Sequence, residues 1–171
     1  MKALATLLGA IDRLSQVSGK MTAALAVPMV LCLVYEVFAR YLFNSPTIWS
    51  YDVTFMIYGA HYILGAAFTY HVKGHIRIDV FYNLFPEKLR TAIDLVAYVV
   101  IIIPVTYVLA VNAFDIFKDA WMTKEVSQYS PWMPVLWPVK GAMAVGFSLL
   151  FLQCAADFIR TVVLAVKGEQ I

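Results

Sequence analysis

Long apolar stretches, almost or wholly free of Asp, Glu, Lys and Arg, recur along this chain and restrict what it can fold into. A helix of about 20 mostly apolar residues crosses the hydrocarbon core of a bilayer. Four such stretches are present, over 21–43, 53–70, 95–114 and 138–166. The first carries Glu36 and Arg40 near its far end, and the second carries no charge. Backbone groups in lipid must be satisfied within their own segment, and strict alternation is missing from these stretches, so helices are expected and barrel strands are not. Composition agrees: 62% of the 171 residues are hydrophobic and 14% are charged, against about half and about a quarter in soluble domains.

The predicted architecture is an all-α integral membrane protein with four transmembrane helices and amphipathic interfacial segments. Leu4, Leu7, Leu8, Ile11, Leu14 and Val17 recur at helical spacing, which predicts an amphipathic helix over 1–19 lying along the membrane surface. A cleaved signal peptide is the rival reading, but Asp12 and Arg13 interrupt its apolar region. The segment 72–85 alternates like a strand, yet a lone strand at a bilayer surface leaves its edges unpaired, so an interfacial arm is expected. Pro86 and Glu87 suit the first turn of a new helix, predicted over 86–117 and including the third span. Pro28 and Pro104 each remove an amide donor inside a span and are expected to bend it.

Cytoplasmic segments retain Lys and Arg more than exported ones do. Lys2, Arg13, Lys20, Lys73, Arg77, Lys88, Arg90, Arg160 and Lys167 fall on one side of the four stretches; Arg40, Lys118, Lys124 and Lys140 fall on the other. Both termini are therefore expected in the cytoplasm. The two exported loops hold Trp49, Tyr51, Trp121, Tyr129, Trp132 and Trp137, ring systems that suit the headgroup layer.

The net charge of +2 is small and its basic residues are dispersed, so nothing favours nucleic acid. Cys32 and Cys154 are far apart, without the spacing of a redox pair or a metal site. No sequence pattern suggests a metal, a catalytic triad or a phosphate-binding glycine loop. His61, His71 and His75 all lie on or just after the second span, so facing haem ligands on other helices are not expected and no cofactor is implied.

Glu36 and Arg40 stand four apart on one face of the first span, where pairing relieves the cost of a charge in lipid. The sharper reading makes Glu36 the carrier of a small four-helix antiporter. A second alternative is the membrane anchor of a redox enzyme. A self-sufficient transporter shows repeated halves and broken helices at mid-membrane, and four spans are too few for that.

Arg40-Tyr41-Leu42-Phe43-Asn44-Ser45-Pro46, followed by Trp49 and Asp52, resembles the first-loop motif of the small permease subunit of tripartite ATP-independent periplasmic (TRAP) transporters. Gly65-Ala66-Ala67, Gly74-His75-Ile76-Arg77-Ile78-Asp79, and Ser130-Pro131-Trp132 through Trp137-Pro138 to Gly146 extend the likeness over about residues 20–160. Where such subunits often carry Glu, this chain has Tyr51-Asp52, and Asp52 is expected to cap the second span.

The resemblance implies a non-catalytic subunit of a sodium-driven uptake system for an organic anion in the bacterial inner (cytoplasmic) membrane. Its implied partners are a large permease subunit of the DctM type, a periplasmic substrate-binding protein and membrane lipids. The resemblance further implies a large subunit that works as an elevator and a small one that braces its scaffold. Arg40, Asn44, Trp49 and Asp52 at the exported end, Gly65 within the second span, His75, Arg77 and Asp79 at the cytoplasmic end, and Trp132 are the candidate interface or structural residues. Leu7, Leu8 and Ile11 are the candidate membrane anchors.

Overall fold

In a computed structural model the chain is described over residues 2–74 and 85–167. It is all-helical: α1 (Lys2–Tyr41), α2 (Ser50–His71), α3 (Glu87–Ala97), a π-helical turn (Tyr98–Ile102), α4 (Ile103–Thr123) and α5 (Trp137–Lys167). Among the described residues, extended pairing is limited to one antiparallel bridge between Val126 and Val135 in the loop before α5.

A surface helix over 1–19 and a separate first span over 21–43 are expected from the sequence; among the described residues one unbroken helix of 40 residues, Lys2–Tyr41, runs through both. Gly19 does not interrupt it. A Cβ there would sit 2.4 Å from Cγ of Phe68, so the glycine admits the Phe68 ring from α2. Nor does Pro28 end α1. The proline at 104 does leave a mark: α4 begins with Pro104 in its first turn, directly after the π-helical turn. A proline ring crowds the carbonyl four residues back and offers no N–H, and a widened turn is one way for a helix to absorb both defects.

Among the described residues, three helices are long and apolar enough to cross a membrane: Leu4–Tyr41, the continuous Leu89–Thr123, and Trp137–Val166. The second expected span corresponds to α2, of 22 residues, about 33 Å long. It carries Tyr58, His61, Tyr62 and Tyr70 in its body, and is not one of the three.

The helices form a row in which α1 packs on α2, α2 on α5 and α5 on α4. Direction follows from the contacts. Cys32 meets Ser50 and Ser18 meets Leu64, so α1 and α2 are antiparallel. Gly59 approaches Val139 and Gly146 approaches Ile63, so α2 and α5 are parallel. The Phe117 ring lies beside Gly141 and the Tyr98 ring 5.9 Å from Phe158, so α4 and α5 are antiparallel. The N-terminal part of α1 and the C-terminal part of α5 thus share one end of the bundle. At Gly146 the backbone of the neighbouring helix itself comes close: a Cβ there would stand 2.6 Å from Cγ2 and 2.8 Å from the carbonyl oxygen of Ile63.

Helix ends are closed by residues in the left-handed region. Asn44 has φ 51°, and the next amide, Ser45 N–H, donates back to the carbonyl of Ala39 at 2.9 Å. Lys73 has φ 54°, and Gly74 N–H donates to Thr69 O at 2.8 Å. The second is a six-to-one closure of the Schellman kind and the first is one residue wider; Asn tolerates the left-handed backbone better than most residues.

Candidate functional site

Three groups of side chains stand out, one at each end of the bundle and one along its flank. At the end where α1 meets α2, Glu36 gathers the loop 42–49. One carboxylate oxygen accepts from Arg40 Nε at 3.0 Å and also pairs with Arg40 Nη2. The other accepts the backbone N–H of Thr47 at 3.1 Å and the Thr47 hydroxyl. Thr47 Oγ1 in turn accepts the first amide of α2, Ser50 N–H, at 3.3 Å, and Ser50 Oγ donates to Cys32 O at 3.0 Å. The Trp49 ring stacks on Tyr35 at 5.7 Å. A carboxylate so occupied ties the loop back onto α1 and starts α2, which is a structural duty.

Asp52 was expected to cap α2. Instead Trp49 holds the N-cap position without a side-chain bond, and Asp52 sits in the first turn, where its charge suits the helix dipole. Its Oδ2 is buried and has no hydrogen-bond partner among the described residues. Asn44 terminates α1. In the other loop, Trp132 is exposed and its backbone N–H donates to Ser130 Oγ at 3.1 Å. Leu136 N–H donates to Glu125 O at 2.9 Å and Lys140 pairs with Glu125. The Trp121 and Trp137 rings meet edge to face at 4.7 Å, 81° apart.

At the opposite end, α1, α2 and α5 converge on a polar knot. Arg160 donates to Asp12 Oδ2 at 2.6 Å and to Asp157 Oδ1 at 2.7 Å. His71 Nδ1 lies 3.2 Å from Asp12 Oδ1. Gln153, fully buried, accepts from Ser15 Oγ at 2.7 Å and donates to Asp12 at 3.1 Å. Sequence reading missed this knot because its members are brought together from positions as far apart as 12 and 160. Gly65 faces inward: a Cβ there would lie 3.6 Å from Thr22 Oγ1, and the neighbouring Ala67 is fully buried. Leu8 is also buried, Leu7 is exposed and Ile11 is intermediate. His75, Arg77 and Asp79, with most of the expected arm 72–85, lie outside the described residues.

The flank of α2 shows a feature whose spacing was present in the sequence and passed unread. Tyr51, Phe55, Tyr58 and Tyr62, at intervals of four, three and four, form one exposed line. Tyr51 pairs with Phe55 and Tyr58 with Tyr62, each at 6.4 Å between ring centroids.

Helices of membrane-crossing length, an apolar exterior and polar contacts directed mainly at holding helices together define a helical membrane subunit. The family model for the DctQ component of tripartite ATP-independent periplasmic transporters matches residues 29–164, and the chain belongs to that family. It is 23% identical over 127 residues to the sialic acid TRAP transporter small permease protein SiaQ of Vibrio cholerae, covering 72% of each chain. It is 35% identical over 69 residues to the C4-dicarboxylate TRAP transporter small permease protein DctQ of the same organism, covering 40% of this chain and 30% of that one. The sialic acid TRAP transporter permease protein SiaT of Haemophilus influenzae matches over 73 residues at 32% identity, which is 40% of this chain and 12% of that protein.

Proposed function

We propose that this chain is the non-catalytic small permease subunit of a sodium-driven, binding-protein-dependent TRAP transporter that takes up an organic anion across the bacterial inner membrane. Its task is to brace a large permease subunit at constant depth while that partner moves substrate. Family membership supports the setting, and two small permease proteins and a longer permease protein among its relatives support the division of labour. α2 serves as a fourth span beside the three longer helices, and the shared end of α1 and α5 faces the cytoplasm, where most Lys and Arg fall.

The carrying observation is the use made of the carboxylates at the two ends of the bundle. Glu36 is consumed by Arg40 and Thr47, and Asp12 by Arg160 and His71. Such pairs fix helices and loops, while a carrier needs a carboxylate that can exchange its partner. A rigid row of helices with exposed aliphatic faces suits a brace that resists vertical displacement, because moving it would expose apolar surface to water. The N-terminal segment with Leu7 and Ile11, and the arm 72–85 with His75, Arg77 and Asp79, supply the interfacial anchorage. Arg40, Asn44, Trp49 and Asp52 at the exported end are the candidate contacts with the large subunit, and the exported loops, with Trp132, face the side from which the binding protein docks.

The test is co-purification. An affinity-tagged copy expressed with the large permease and solubilised in mild detergent should retain that permease in a fixed ratio. Recovery of the tagged chain free of it, with the permease intact in the same membranes, would refute the assignment.

A further inference from the structure

The exposed line on α2 sets two phenols, Tyr58 and Tyr62, one turn apart in the body of the helix, where the outward face of α4 carries Tyr107 alone. Tyr51, Phe55, Tyr58 and Tyr62 are 78%, 64%, 53% and 71% exposed, while the remainder of α2 beyond Tyr51 is at least partly covered by α1 and α5. The outward face of α1 over residues 27–34, by contrast, is aliphatic: Val27, Val30, Leu31 and Val34 are exposed side chains that hydrocarbon solvates well, and the exposed Tyr35 and Phe38 follow only toward the loop end of the helix. A tyrosine at a helix end places its hydroxyl among headgroups, and Tyr51 is so placed. Tyr58 and Tyr62 are not: at 1.5 Å per residue they lie about 12 and 18 Å along the axis from Ser50. That is the interior of a helix about 33 Å long. Among the described residues, neither hydroxyl has a hydrogen-bond partner. A phenol facing hydrocarbon without a partner is unfavourable, and lipid tails offer none.

We infer that the Tyr51, Phe55, Tyr58 and Tyr62 line is the seam on which the large permease subunit docks. The apposed permease helix supplies hydrogen-bonding groups to the two deep phenols, and the ring faces pack against its side chains. This rests on the reading of the chain as a small permease subunit with α2 in the membrane. It adds which helix forms the joint and assigns the aliphatic face of α1 to lipid.

A benzoyl-phenylalanine photo-crosslinker introduced at position 58 or 62, and as a control at position 30 or 34, tests the seam in membranes holding the complete complex. Positions 58 and 62 should give an adduct of the summed mass of the two subunits, and positions 30 and 34 should give none. In parallel, the Tyr58→Phe, Tyr62→Phe double variant removes two hydroxyls and leaves the rings. It should weaken retention of the permease about tenfold, as expected for two interhelical hydrogen bonds.

Permease adducts from positions 30 and 34 but not 58 and 62 would overturn the seam while leaving the partnership intact. Adducts between two copies of this chain, or adducts with lipid alone, would overturn it equally. Unchanged permease retention by the double variant would refute the hydrogen-bonding role of the phenols. Absence of the permease from both the adducts and the purified wild-type complex would instead defeat the functional assignment on which the seam depends.

Discussion

Arg160 on the last helix donates to Asp12 on the first at 2.6 Å, across 148 positions of sequence. His71 of α2 stands against the other oxygen of the same carboxylate at 3.2 Å, so one residue joins three helices. Asp12 and Arg160 side chains are 22% and 25% exposed. Truncating one partner leaves the other partly buried and poorly compensated, which is the costly way to break an ion pair.

Asp12→Ala and Arg160→Ala should each destabilise the folded subunit by about 1–3 kcal/mol, with the double variant less destabilised than the sum of the two. Thermal unfolding in detergent, followed by circular dichroism, measures all three. Strict additivity would mean that the pair is not coupled.

Glu36 is predicted to be replaceable where shape and hydrogen bonding are preserved. Glu36→Gln should keep most of the uptake in whole cells. Glu36→Ala should lower it together with the amount of assembled complex, because the Thr47 amide loses its acceptor. An antiporter-like carrier role predicts the opposite for the conservative change: abolished transport with normal assembly.

Two of the inward-facing glycines, Gly146 and Gly65, should respond differently. Gly146→Ala drives a Cβ against the backbone oxygen of Ile63, which cannot rotate away, and should cost about 1–3 kcal/mol. Gly65→Ala meets only Thr22 Oγ1 at 3.6 Å, an ordinary contact, and should be tolerated. Melting temperatures of the two purified variants decide the point.

Leu7 and Leu8 separate anchoring from folding. Leu8 is 1% exposed and Leu7 is 55% exposed. Leu8→Ala should lose about 2–4 kcal/mol of stability by opening a cavity, and Leu7→Ala should leave the melting temperature nearly unchanged. Leu7→Asp should then act on uptake or assembly without first unfolding the chain. Equal melting temperatures for the two alanine variants would contradict the burial.

The helices were legible because apolar length is a local property. Residues 53–70 and 138–166 announce themselves without reference to anything else in the chain, and they correspond to Ser50–His71 and Trp137–Lys167. The Glu36 and Arg40 contact was legible for the same reason, being one helical turn apart. What escaped depends on tertiary placement. The wheel of residues 1–19 showed an apolar face but not that Leu8 would be buried or that Ser15 would bond Gln153 of α5, since both depend on how α1 packs on the rest of the bundle. Asn44 looked like a docking residue, and only the backbone shows it as a helix terminator. Trp49 in the N-cap position is equally invisible from composition, because aspartate three residues later is the better capping residue by type. The aromatic line on α2 could have been read from spacing alone, although only the packing shows that α1 and α5 leave it uncovered.

The central claim is that this chain holds a moving partner and transports nothing itself. Uptake into proteoliposomes tests it most directly, with the chain reconstituted alone and then with the large permease, under a sodium gradient and with the substrate-loaded binding protein outside. The chain alone should give only the leakage of empty vesicles, and uptake should require both membrane subunits. Solute accumulation by the chain alone, abolished by Glu36→Gln, would contradict the account.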